Sequence, residues 1–280
     1  MMEEITLDFE RLQAFRQALI AQERSAATVE KYVRNARAFV RYAGGQKVNQ
    51  RVLVSYKALL LETHTARSVN SMIAGINCFF CFCGSTLRMR PLRVQRQMFC
   101  PEEKELSRAE YVRLCRTAQR RNNIRLNLIL QTICSTGIRV SELGYITVEA
   151  AKCGKVQVRC KGKTRVILIA QGLRQKLLRY AAQHGIAQGV LFVTRSGKPI
   201  SRTNIWREMK QLCSEAKVSP AKVFPHNLRH LFARVFYALE KDISKLADVL
   251  GHSSIDTTRI YIISSGTEHL RRIENMHLIL

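Results

Sequence analysis

Apolar side chains recur three and four positions apart through the first 95 residues: Phe9, Leu12, Phe15 and Leu19, then Val29, Tyr32, Val33, Ala36 and Val40, then Val52 to Leu61, then Val69, Met72, Ile73, Ile76 and Phe80. That period follows the 3.6-residue turn of an α-helix, so the segment buries its apolar surface as amphipathic helices laid against one another. Four such stretches predict a small helical bundle.

The period fails between Pro91 and Glu105, and Pro101-Glu102-Glu103-Lys104 is polar with a helix-breaking proline. A linker is expected over 96–106, between a helical domain over 1–95 and a second domain over 107–280. A chain of 280 residues has room for both cores. Ser107-Arg108-Ala109-Glu110 has the form of a capping box and opens the second domain with a helix. That domain reads as mostly helical with one strand pair. Val156, Val158 and Cys160 alternate with polar residues, Lys161-Gly162-Lys163-Thr164 supplies a turn, and Val166 to Ile169 returns as an apolar strand. The expected fold class is mainly α, a helical bundle followed by a mixed domain with a small antiparallel β-hairpin whose tip is basic.

Charge narrows the partner. The chain carries 46 basic and 21 acidic residues, a net charge of +25, which points to a polyanion. Basic residues outnumber acidic ones by 15 to 7 through residue 100 and by 31 to 14 beyond it, so both domains are expected to touch that polyanion, as two halves of a clamp. On the second helix Lys31, Arg34, Arg37 and Arg41 gather away from the apolar stripe, as a DNA contact or a solvated face. No apolar run approaches the roughly 18–20 residues of a membrane span, and the longest, Met72 to Cys83, is interrupted by Asn77. The opening Met1-Met2-Glu3-Glu4 has no secretory pattern, so a cytoplasmic protein is expected. Nine cysteines, an odd number, fit reduced thiols better than a disulfide framework. Cys78, Cys81 and Cys83 have no fourth ligand nearby and read as a buried apolar face rather than a metal site.

Three segments carry candidate chemistry. In Thr136-Gly137-Ile138-Arg139-Val140-Ser141-Glu142-Leu143 a glycine turn leads into a new helix with Arg139 in its first turn and Glu142 placed to orient it. In Pro225-His226-Asn227-Leu228-Arg229-His230 the proline suits a helix start, Leu228, Leu231, Phe232, Val235 and Leu239 form the expected buried stripe, and His226 and Arg229 lie one turn apart on another face. His226 and His230 have the spacing of a metal pair, but Asn227 stands where a zinc protease needs Glu. In the third, Gly251 ends a helix, His252 begins a new segment, and Tyr261 follows nine residues later. Two arginines, a lysine on the hairpin, histidines and a tyrosine are what phosphodiester transesterification needs. The arginines neutralise charge on phosphoryl oxygens. A phenol of ordinary pKa about 10 needs a base or a positive field to attack. The departing 5′-oxygen needs an acid. No metal or cofactor is required in this scheme, because the arginines take the part of Mg²⁺.

Thr136–Leu143, the Lys161-Gly162 hairpin, His226-x-x-Arg229-His230 and Leu250-Gly251-His252 through Tyr261 together resemble the tyrosine recombinases of the Xer and phage-integrase family. The resemblance runs over most of the chain. It implies a SAM-like core-binding domain before a catalytic domain. It makes Arg139 and Arg229 the phosphate-clamping arginines, Lys161 the general acid, His226 the proton-transfer histidine, His252 a phosphate-oxygen ligand and Tyr261 the nucleophile. Xer-like members usually carry a longer turn after the glycine, so Lys163 stands beside Lys161 as an alternative acid. The resemblance further implies a 3′-phosphotyrosyl intermediate, a Holliday junction, and a homo-tetramer holding two double-stranded DNA sites with inverted-repeat cores. Leu270, Ile273 and Met276 with Arg271 and Arg272 form one amphipathic tail helix, docked on a neighbouring subunit or on its own domain.

The biological role expected is the recombinase of a mobile element, with an Xer-like dimer resolvase or an invertase as the alternative. A DNA-binding protein that does not cut, and a type IB topoisomerase, are the other classes that such a basic chain could serve. In any of them affinity for DNA should fall steeply as salt rises, linearly in log K against log salt, because bound phosphates release counterions. A filter-binding or anisotropy titration at several salt concentrations checks this, and a flat response would contradict the reading of the charge.

Overall fold

Polar caps set where the first helices begin. A computed structural model describes residues 4–94, 102–160, 163–194, 196–252, 254–262 and 274–276. Ser25 accepts from the Thr28 N–H at the start of α2 (Ala26–Ala43), Asn49 from Arg51 and Val52 at the start of α3 (Gln50–Thr63), and Thr65 from Ser68 at the start of α4 (Ala66–Phe82). Helix α1 (Glu10–Ala21) has no side-chain cap. Phe9, expected in its buried stripe, precedes the helix and is exposed. The four helices close on Leu12, Phe15, Phe39, Leu53, Ile76, Phe79 and Phe80, with the Phe39 ring edge-on to Tyr56 at 5.0 Å and to Phe80 at 5.3 Å. Cys81 is exposed and Cys78 and Cys83 are half-buried, which corrects the expectation of a buried cysteine face. Asn77, in sequence only an interruption of an apolar run, exchanges two hydrogen bonds with the Met89 backbone at 2.9 Å, and Asn70 does the same with Leu92 at 2.7 and 2.8 Å. Two amides on α4 thus strap the extended residues 85–94 to the bundle.

The chain divides into two compact units, Met1–Arg96 and Gln97–Leu280. In the second, Ser107 and Glu110 make both bonds of the capping box at the start of α5 (Arg108–Arg120). Residues just before it belong to this unit and not to a free linker: Leu106 is fully buried in its core, and Asn227 donates to the Lys104 carbonyl at 2.9 Å. There follow α6 (Ile124–Thr136), a 3-10 helix (Val140–Tyr145), α7 (Val148–Cys153), and the antiparallel pair β1 (Lys155–Cys160) and β2 (Lys163–Leu168). Then come α8 (Gln171–Gln183), α9 (Arg202–Ala216), α10 (Pro225–Glu240), α11 (Ile243–Leu250) and α12 (Ile255–Ile262).

Several sequence expectations change here. Lys163 and Thr164, expected in the hairpin turn, already pair in β2 with Cys160 and Arg159, while 161–162 lie outside the described residues. Strand β2 alternates and is not apolar throughout: Val166 and Leu168 face solvent while Ile167 is buried. Val235 and Leu239, expected in the buried stripe of α10, are exposed, because this end of the helix packs through Ala233, Phe236 and Tyr237 on the cluster of Leu246, Leu250 and Tyr261 instead. Of the expected tail helix, residues 263–273 and 277–280 lie outside the described residues. No helix among the described residues is long and apolar enough to cross a membrane.

Gly137 ends α6 in the left-handed region at φ +63°, where a Cβ would stand 2.6 Å from the Phe232 ring on α10. Gly137→Ala should therefore cost about 1–3 kcal/mol, from strained backbone together with overpacking. Denaturant unfolding measures it, and an unchanged midpoint would show that α10 does not pack this closely on the turn.

Candidate active site

The site is built on the ends of helices. The turn after α6 brings Arg139 to the start of the 3-10 helix, not into the first turn of an α-helix as the spacing suggested. There the Glu142 carboxylate accepts from the Arg139 backbone N–H at 2.9 Å and from its guanidinium at 3.0 Å. Glu142 is 2% exposed, and its Oε2 also accepts from Arg165 Nη2 at 2.6 Å. One buried carboxylate thus carries two cations. The Arg139 side chain keeps 34% of its surface open, so its remaining N–H groups can meet an incoming anion.

Arg229, expected on a face of α10 other than its buried stripe, is 1% exposed. It donates to the Gly137 carbonyl at the end of α6, to the Leu250 carbonyl at the end of α11 at 2.8 Å, and to His252 Nε2 at 3.0 Å. An imidazole nitrogen that accepts from a guanidinium is unprotonated, so His252 is neutral with its proton on Nδ1, which donates to Thr258 Oγ1 at 2.9 Å. Burial, then the positive charges of Arg229, Arg139 and Arg165, push the His252 pKa down to about 4. Burial likewise lowers the Arg229 pKa to about 10, with Arg139 adding to the fall and Tyr261 opposing it.

Tyr261 on α12 is 7% exposed and enclosed by these groups. Its ring stacks on His230 at 4.3 Å and 21°, lies 5.1 Å from His226 and 4.9 Å from His252, and has the Arg229 guanidinium 5.5 Å from its centre. His226 is held below its ordinary pKa by burial and then by Arg229, Arg139 and Arg202. His230 is pushed down to about 4 by burial, then by His226 and Arg234, with the Tyr261 backbone opposing.

Of the residues singled out from sequence, Arg139, His226, Arg229, His252 and Tyr261 gather in one place. Lys161 lies outside the described residues. Sequence reasoning missed three participants. In the sequence His230 stands in a metal-pair spacing and in the His226-x-x-Arg229-His230 motif with no role of its own, and Thr258 carries no role. Arg165 was passed over although it carried a signal: it shares its face of β2 with Ile167, and a charge at an inward position of an alternating strand needs a partner.

The sequence profile of the phage integrase family matches residues 104–268, which include all of these positions. The chain belongs to the phage integrase family. It is 27% identical to the tyrosine recombinase XerA of Pyrococcus furiosus over an alignment covering 99% of this chain and 98% of that protein. It is 37% identical to the tyrosine recombinase XerH of Campylobacter jejuni over 147 residues, half of this chain and 41% of that longer protein. A lambda integrase tetramer bound to a Holliday junction has the same fold, with a TM-score of 0.75 at 16% identity, covering 92% of this chain and 78% of that one. The phage integrase profile begins at residue 104, so it describes the second unit alone, whereas the XerA alignment extends through the helical bundle as well.

The histidines give the free protein a pH signature. His230 and His252 titrate near 4 in the fold against an ordinary value of 6.5. Below 6.5 the unfolded chain binds protons that the folded one refuses, so stability is whole above pH 6.5 and drains away as pH falls toward 4. Thermal unfolding without DNA should show the midpoint dropping across that window. The slope should flatten in His230→Gln and His252→Gln, and an unaltered slope in both would mean that neither ring is held neutral.

Proposed function

We propose that this chain is a site-specific DNA recombinase that cuts and rejoins strands through Tyr261. The observation that carries the reading is the enclosure of the Tyr261 ring by His226, His252 and Arg229 within its own chain. Arg139 and Arg229 take the non-bridging oxygens of the scissile phosphate and neutralise the charge that builds there, and His252 joins them as a phosphate-oxygen ligand once the bound phosphate brings a proton to its Nε2, the acceptor from Arg229 in the free protein. Neutral His226 accepts the phenolic proton as Tyr261 Oη bonds to phosphorus. The bond from phosphorus to the 5′-oxygen breaks, and the ammonium of Lys161 protonates that oxygen, with Lys163 as the alternative acid. The 3′-phosphotyrosyl linkage keeps the energy of the broken bond, so the 5′-hydroxyl of a second strand can attack it, displace Tyr261 and complete an exchange without cofactor or metal.

Two exchanges pass through a Holliday junction, and the likeness to a tetrameric integrase on such a junction supports a homo-tetramer on two double-stranded sites with inverted-repeat cores. Residues 1–95 act as the core-binding domain and 107–280 as the catalytic domain, both drawn to DNA by a charge of +25. We place the protein in the cytoplasm with the DNA it recombines, as the recombinase of a mobile element. The second reading is an Xer-like enzyme, a chromosome or plasmid dimer resolvase or an invertase, and the alignment with XerA over 99% of this chain supports the Xer-like branch.

On a nicked suicide substrate in EDTA, wild type should become covalently joined to the 3′ phosphate. Tyr261→Phe, which loses only the attacking oxygen, should give no adduct on a denaturing gel. An adduct of equal yield in Tyr261→Phe would remove Tyr261 from the reaction.

A further inference from the structure

We infer that Arg165 is a positioning residue that fixes both phosphate-binding arginines from behind. The inference rests on the recombinase reading above. Arg165 pairs across the hairpin with Val158 and shares its buried face, leaving its side chain 11% exposed. A guanidinium there is tolerated only where acceptors meet it. They come from two other segments: Glu142 Oε2 at 2.6 Å, and the Leu250 carbonyl at the end of α11.

Each of those acceptors also holds a phosphate-binding arginine. Glu142 orients Arg139 through Oε1 at 3.0 Å, and the Leu250 carbonyl takes Arg229 Nη2 at 2.8 Å. The contacts run unbroken from Arg139 through Glu142, Arg165 and Leu250 to Arg229, and on to His252. The next residue of the chain is part of the same fit. Gly251 has φ +63°, and a Cβ there would stand 2.5 Å from Arg165 Cδ, so the turn that presents His252 lies directly on the Arg165 stem.

Exposure separates Arg165 from Arg139, the cation with which it shares Glu142: Arg139 has a third of its side chain open and can touch a phosphate, whereas Arg165 is 11% exposed and gives Nη1 to the Leu250 carbonyl and Nη2 to Glu142. Without Arg165, Arg139 is the one cation among the described residues left on Glu142, which draws that guanidinium back from the phosphate, and the Leu250 carbonyl keeps Arg229 but loses the second bond that helps fix its direction. Misplacement on the order of 1 Å costs a reaction of this kind about 10²-fold.

The test compares single-turnover adduct formation by wild type, Arg165→Met and Arg165→Lys on two nicked substrates, one with an ordinary scissile phosphodiester and one with a bridging 5′-sulfur, whose departure needs no proton. The rate constant is read rather than the yield, so loss of folded protein alone does not move it. Arg165→Met should be about 10- to 100-fold slower on both substrates, because its defect lies at the non-bridging oxygens. Arg165→Lys should recover part of the rate, since a compact ammonium keeps the charge but cannot match both acceptors with fork geometry. Restoration of Arg165→Met by sulfur would overturn the inference and assign Arg165 to the protonation of the leaving group. A wild-type rate constant in both variants would overturn it as well, leaving Arg165 a purely structural residue. Should Arg165→Met not fold, Arg165→Lys decides alone: a rate constant equal to wild type on both substrates refutes the inference, and an equal fall on both supports it. Failure of the recombinase reading looks different, with wild type itself giving no adduct on either substrate, or Tyr261→Phe giving one.

Discussion

A guanidinium at 1% exposure has to find its acceptors within the protein, and Arg229 finds them on the ends of two helices and on an imidazole. The carbonyls of Gly137 and Leu250 belong to groups left unpaired where α6 and α11 stop, and the negative ends of both helix dipoles face the same cation. Burial of Arg229 therefore requires both helices to end where they do. Gly137 and Gly251, each in the left-handed region, permit those endings. The segments that leave the two turns carry Arg139 and His252, so satisfying one buried charge brings the other candidate site residues to its side.

The same constraint sets protonation. Arg139, Arg165 and Arg229 converge, with Glu142 the one carboxylate among the described residues that joins two of them, and burial first, then this positive charge, keeps the neighbouring imidazoles neutral. Neutral histidines suit a site that receives a phosphate: one ring can accept a proton from a phenol, and another can be ordered by an arginine on one nitrogen and a threonine on the other. Tyr261 closes the cluster by stacking on His230, which makes the placement of α12 part of the same packing problem.

The amino-acid sequence by itself determined the helical character of both units, since periodicity of 3.6 and caps such as Ser25, Asn49 and Ser107 act within a few residues of the chain. It also determined the strand pair, and four ordered motifs single out Arg139, His226, Arg229, His252 and Tyr261 as candidates, which the fold brings together. Tertiary structure alone decided what those residues touch. That Arg229 is buried, that Val235 and Leu239 are not, and that Arg165 binds Glu142 and the Leu250 carbonyl depend on partners 21 to 92 positions away in the chain. Local spacing describes which side of a helix or strand a residue occupies. Whether that side meets solvent, an apolar core or a carbonyl is settled only when distant segments pack, because burying a charge depends on acceptors that no local pattern contains.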